Sequence, residues 1–169
     1  ELHCDIAQRV EIASKNKAAI VLFPELSYSG YNPDNFIENA CAIEEIVEFF
    51  GKLAKLYRVF IVAGAAIKKN NQITNSALVF DDSGFLISEY DKIHLFGSAN
   101  ENEIFVAGNE LRTFCVSDKK IGLSICYDLR FPELFSIMSD VDVFFCIAAW
   151  PMQRIEIFEL LLRDRKSVV

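Results

Sequence analysis

Three side chains of this 169-residue sequence can do nucleophilic chemistry together: Glu25, Lys92 and Cys126. A cysteine sulfur attacks a carbonyl carbon, a carboxylate takes the thiol proton, and a fixed ammonium meets the oxyanion that forms. Each of the three follows closely on a strand-like run. AIVLFPE (19–25) is mostly apolar and ends on Glu25, FLISEY (85–90) leads into Lys92, and KIGLSIC (120–126) ends on Cys126. In an open α/β sheet, ligands bind beyond the carboxyl ends of the strands, so the three should gather at one edge. Taken singly, each has a plainer reading: Cys126 as a packed apolar thiol, Glu25 as a solvated loop charge, Lys92 as a surface lysine. Their arrival at three strand ends is what favours the chemistry.

An unperturbed thiol near pKa ~8.5 and a carboxylate near ~4.3 differ by about four units, so full proton transfer costs roughly 6 kcal/mol. Burial raises a carboxylate and an adjacent lysine lowers a thiol, each by about a unit or more, and together they close the gap. The chemistry therefore requires burial, and the apolar approaches AIVLFP and IGLSI agree with it. His94, two residues beyond Lys92, is the competing base. A protease-type dyad would also need an asparagine or aspartate to hold the imidazole, and the sequence marks none. His94 reads instead as a loop residue hydrogen-bonded locally.

The elements that must position these residues follow from periodicity. Ile6, Val10 and Ala13 give a first short helix, and AIVLFPE reads as a strand buried on both faces. SYSGYNPD (27–34) is a loop. Ile43, Ile46, Val47, Phe50, Leu53, Ala54 and Tyr57 form one stripe of an amphipathic helix. The runs 59–67, 73–80 and 85–90 are strands separated by KKNNQ and DDSG, both hairpin turns, so part of the sheet is antiparallel. Residues 97–110 are a long polar loop of the kind that carries function. LRTFCV (111–116) and 120–126 make another hairpin, in which Ile121, Leu123 and Ile125 alternate. Pro132 opens a helix that should hold the Tyr127 N–H toward an oxyanion. A strand over 141–149 and a last helix from about Arg154, burying Ile155, Phe158, Leu161 and Leu162, follow. The fold class is α/β with mixed sheets, in a single domain over 1–169. Both ends read as cut, because a mixed sheet whose last element is a packed helix normally continues.

Composition narrows the class. Hydrophobic residues make up 52%, with 15 phenylalanines, which fits a packed globular chain. The net charge of −7 and pI near 4.9 disfavour nucleic acid as a partner. The longest apolar runs fall short of the ~20 residues of a membrane helix, and no signal peptide is visible. Five irregularly spaced cysteines argue for a reducing cytoplasm over a disulfide framework. Without a C-x-x-C pair, and with only two histidines, no structural zinc site is expected. Glycine-rich phosphate motifs are missing too, so no cofactor is expected.

FPE (23–25), YDKIHLF (90–96) and GLSICYDLRFPE (122–133) resemble the three motif blocks of the nitrilase superfamily of carbon–nitrogen hydrolases. The resemblance runs from the first helix to Arg165. It implies an αββα sandwich, packed sheet to sheet as a homodimer, and a triad of Glu25 as base, Lys92 at the tetrahedral intermediate and Cys126 as nucleophile. It also implies a second glutamate at Glu101, which Phe105 and Gly108 set in register where Glu103 is not, orienting the lysine and the substrate. CYDLRFPE and IAAWP (147–151) resemble the omega-amidase branch, which implies a small amide of a 2-oxo dicarboxylic acid as substrate, with water. Ala149 stands where some of those relatives carry asparagine. Tyr127 would supply a backbone N–H and Trp150 a pocket wall or a packed core ring. Arg130 would meet a substrate carboxylate or, more simply, form a structural ion pair. Two alternatives stay open: a truncated, non-catalytic member of the family, or a relative acting as carbamoylase, nitrilase or acyl transferase.

Overall fold

The computed structural model of the protein describes residues 2–165. Helix α1 (Leu2–Lys15), strand β1 (Ile20–Leu22) and helix α2 (Ile43–Tyr57) come first. Strands β2 (Phe60–Lys69), β3 (Gln72–Phe80) and β4 (Leu86–Asp91) lead to a single helical turn, α3 (Glu101–Ile104). Strands β5 (Thr113–Val116) and β6 (Lys119–Ile125) are followed by helix α4 (Pro132–Ile137), strand β7 (Val143–Ile147) and helix α5 (Ile155–Arg165).

The strands make two mixed sheets, in the orders β1–β2–β3–β4 and β5–β6–β7. β1 runs parallel to β2 and β6 parallel to β7, while the other neighbours are antiparallel. Alternation along β2 explains the stacking, since successive side chains point to opposite faces. Ile61, Ala63, Ala65 and Ile67 pack with Ile6, Val10, Ile46 and Phe50 of α1 and α2. Val62 points the other way, and with Ala77 and Val79 it meets Phe114, Ile121 and Leu123 of the second sheet. Behind that sheet, α4 and α5 lay Leu134, Phe135, Phe158 and Leu161 on Phe144 and Cys146. The layers are therefore αββα, as the resemblance implies.

Several elements differ from their sequence reading. α1 begins at Leu2, earlier than Ile6. β1 spans three residues at a sheet edge with Leu22 42% exposed, so it is not a strand buried on both faces. Pro24 has no N–H to extend its pairing, and Glu25 lies three residues past the strand end. The β2–β3 connection is a two-residue turn at Asn70 and Asn71, because Lys69 and Gln72 still pair and Asn70 takes a left-handed φ of 55°. The loop 97–110 contains a 3-10 turn at Gly97–Ala99 and then α3. On α5, Ile155, Phe158 and Leu161 are only half-buried and Leu162 is 39% exposed. Leu162 lies about 100° around the helix from Leu161 and misses the stripe that reaches the sheet.

Candidate active site

Glu25, Lys92, Glu101 and Cys126 meet where the ends of the two sheets face each other. The turn carrying Glu25 crosses directly over β2 at Gly64, where Tyr28 N–H donates to the Gly64 carbonyl at 3.0 Å. A Cβ on Gly64 would stand 2.5 Å from Leu26 N and 2.8 Å from Glu25 Cα, so only glycine permits the crossing. Lys92 is placed by β4, its N–H donating to the Asn75 carbonyl of β3 at 2.8 Å. Glu101 opens α3 and accepts from Phe96 N–H at 2.9 Å. Cys126 directly follows β6 with a φ of +46°, a left-handed conformation that costs a residue with a Cβ and persists when its surroundings impose it.

Lys92 Nζ lies 2.7 Å from Glu25 Oε1 and 2.8 Å from Glu101 Oε2, and all three side chains are fully buried. Glu25 Oε1 also accepts from Asn75 Nδ2 at 2.8 Å, and its Oε2 accepts from Ala149 N–H, just past β7, at 3.0 Å. Three donors thus fix this carboxylate, Asn75 from within β3 and Lys92 and Ala149 from just past β4 and β7. Burial works against the Lys92 charge, but Glu25 and Glu101 outweigh it and hold the ammonium above its usual range. Burial pushes the Glu101 carboxyl up, with Lys92 opposing. Cys126 is 8% exposed, and burial, then Glu25, drive its thiol well above the usual value while Lys92 pulls it down. Lys92 thus acts in the expected direction, and burial together with Glu25 outweighs it. Two carboxylates already pair with the lysine's charge, which leaves less of it to act on the sulfur.

A 3-10 helix, Cys126–Arg130, begins at the cysteine itself. Its first N–H groups have no partner within the helix, so this element, and not α4 at Pro132, presents the Tyr127 amide. Cys126, Tyr127 and Glu101 line a cleft of about 70 Å³, with Tyr31, Phe96 and Trp150 as aromatic walls. Trp150 Nε1 donates to the Arg154 carbonyl at 3.0 Å. Arg130 is exposed, its guanidinium 5.8 Å from the Tyr127 ring centre and 5.4 Å from that of Trp150. It forms no ion pair with a carboxylate among the described residues, and it lines the cleft together with Arg154.

Sequence reasoning missed Asn75, Asp128 and Arg154. Thr74, Asn75 and Ser76 are consecutive polar residues inside an otherwise apolar strand, and such a run buried needs partners. An aspartate does hold the imidazole of His94, with Nδ1 2.9 Å from Asp128 Oδ1. The ring stacks on Phe131, with centroids 3.5 Å apart, and does not line the cleft of Cys126. His94 is accordingly bonded to a residue 34 positions away, not locally.

A family model described as carbon–nitrogen hydrolase matches residues 3–157. The chain is 37% identical over 166 residues to the hydrolase in agr operon of Staphylococcus aureus, covering 95% of this chain and 64% of that protein. It is 36% identical over 160 residues to the 2-oxoglutaramate amidase of Bacillus subtilis (strain 168), covering 92% and 61%. The solved structure of XC1258 from Xanthomonas campestris, a CN-hydrolase superfamily protein with an arsenic adduct in its active site, superposes with a TM-score of 0.89 at 25% identity, over 97% of this chain and 64% of that one. The chain thus spans less than two thirds of the length of these relatives. With its four layers and these matches, the chain belongs to the carbon–nitrogen hydrolase family.

Proposed function

We propose that the protein hydrolyses the amide C–N bond of a small carboxylic-acid amide and releases ammonia through a cysteine thioester. The observation that carries this reading is the buried Lys92 ammonium clamped between Glu25 and Glu101 beside the buried Cys126. Sulfur attacks the amide carbon as its proton passes to Glu25, so the net charge of the buried cluster is unchanged. The oxyanion is met by Lys92 Nζ and the Tyr127 N–H, inside a site where such donors act strongly. Glu25 then passes the proton to the leaving nitrogen. The C–N bond breaks, ammonia departs, and Glu25 then takes a proton from the water that attacks the thioester; the C–S bond breaks, the acid is freed, and Glu25 returns the proton to the Cys126 sulfur. Glu101 keeps Lys92 in line.

The rim supports a substrate class. Arg130 and Arg154 offer cationic groups to a cleft whose one lining carboxylate among the described residues, Glu101, is already paired with Lys92. A substrate with one free carboxylate besides its amide fits that rim, so the monoamide of a 2-oxo dicarboxylic acid is the best match. The relatives named as 2-oxoglutaramate amidases support the same choice.

Ammonia release from 2-oxoglutaramate, from an uncharged amide, from a nitrile and from a carbamoyl compound tests the reading. The parent should prefer 2-oxoglutaramate, and Cys126→Ser and Glu25→Gln should each lose at least about 10³-fold in kcat/KM. Turnover that survives Cys126→Ser, or a parent inert to all four compounds, would sink it.

A further inference from the structure

We propose that Asp128 is a positioning residue that sets the nucleophile against the lysine. The inference rests on the reading of Cys126 and Lys92 given above. The Asp128 carboxylate is fully buried and shared among four donor groups. Its Oδ2 accepts from Tyr90 O–H at 2.7 Å and from Ile125 N–H at 2.9 Å. Its Oδ1 accepts from His94 N–H at 2.9 Å and lies 2.9 Å from His94 Nδ1, which must carry the proton because an ionised carboxylate only accepts.

Tyr90 and His94 stand two residues on either side of Lys92, and Ile125 immediately precedes Cys126. One carboxylate therefore ties both flanks of the lysine to the base of the nucleophile's turn. The tie spans the two sheets, since Tyr90 is on β4 and Ile125 on β6. His94 also stacks on Phe131, just past the far end of the same turn, with the ring planes 8° apart. The turn needs such an anchor, because the left-handed backbone of Cys126 persists only where its surroundings over-determine it. Asparagine cannot replace the carboxylate, because it has one oxygen and would set its own N–H groups against two of the donors.

The test compares the parent with Asp128→Asn and with the milder Tyr90→Phe, assayed on 2-oxoglutaramate well below their melting temperatures, together with crystal structures of all three. Positioning predicts a kcat loss of about 100-fold for Asp128→Asn and about tenfold for Tyr90→Phe, with KM within about twofold. It also predicts that Cys126 leaves the left-handed region or that Lys92 draws away from it. A lower melting temperature with parental kcat, and with Cys126 and Lys92 unmoved, overturns the proposal. If Asp128→Asn does not fold, Tyr90→Phe decides by the same two readings. A parent without turnover defeats the catalytic reading itself, and the crystal structures then decide the positioning role alone.

Discussion

Lys92 keeps its proton because two carboxylates hold it, whereas Cys126 keeps its own because burial and one of those carboxylates oppose a charge on sulfur. The second effect has a consequence for stability. The unfolded chain loses the thiol proton near pH ~8.5, while the folded protein retains it, so stability must fall as pH rises above that value. Lys92, also raised, adds a loss of the same sign, beginning only above its ordinary value of about 10.4. Urea midpoints at about pH 8 and about pH 10 should therefore converge between parent and Cys126→Ala, the variant losing less. Parallel losses would show that the sulfur is not the group responsible. Glu25, Lys92 and Cys126 are legible in the sequence because each is a reactive type following an apolar run. Asn75 and Asp128 are not, because their meaning lies in partners 50 and 34 residues away, which no local pattern encodes.

Elements act on the site through where they cross. The turn after β1 delivers Glu25 only because β2 has no side chain at Gly64. Gly64→Ala should destabilise the protein by about 1–3 kcal/mol, since the clashing atoms are backbone and cannot swing aside. It should also lower kcat by at least about tenfold, by shifting Glu25 even in the folded fraction. Gly97→Ala is the control, because its Cβ would meet only Asn102 Oδ1 at 3.6 Å. Equal activity in the two variants would remove Gly64 from the site's support. The strands and α2 were readable from periodicity because burial on one or both faces imposes it. The 3-10 turn at Cys126 was not, because it depends on a buried carboxylate capping the end of β6. The half-exposed face of α5 misled for the opposite reason: a stripe of leucines says that a helix has an apolar side, not what covers it.

For the molecule as a whole, a net charge of −7 means that the folded surface repels itself at low ionic strength. Raising sodium chloride from about 10 mM to about 300 mM should lift the melting temperature by ~2–4 °C, the equivalent of about 1 kcal/mol. A fall would mean that exposed ion pairs, such as Lys52 with Glu48, outweigh the repulsion. The site itself, buried and internally paired, is little screened by salt. Its components are also divided between the two sheets: Glu25 and Lys92 hang from the first, Cys126 and the Ala149 amide from the second. Neither sheet alone contains both the sulfur and the group that would take its proton. Each sheet joins antiparallel hairpins to one parallel pair, β1 with β2 and β6 with β7, that needs a crossover to close. Catalytic competence should then arise only when the two sheets dock. Recovery of activity during refolding becomes a clock for that docking, separate from the return of secondary structure.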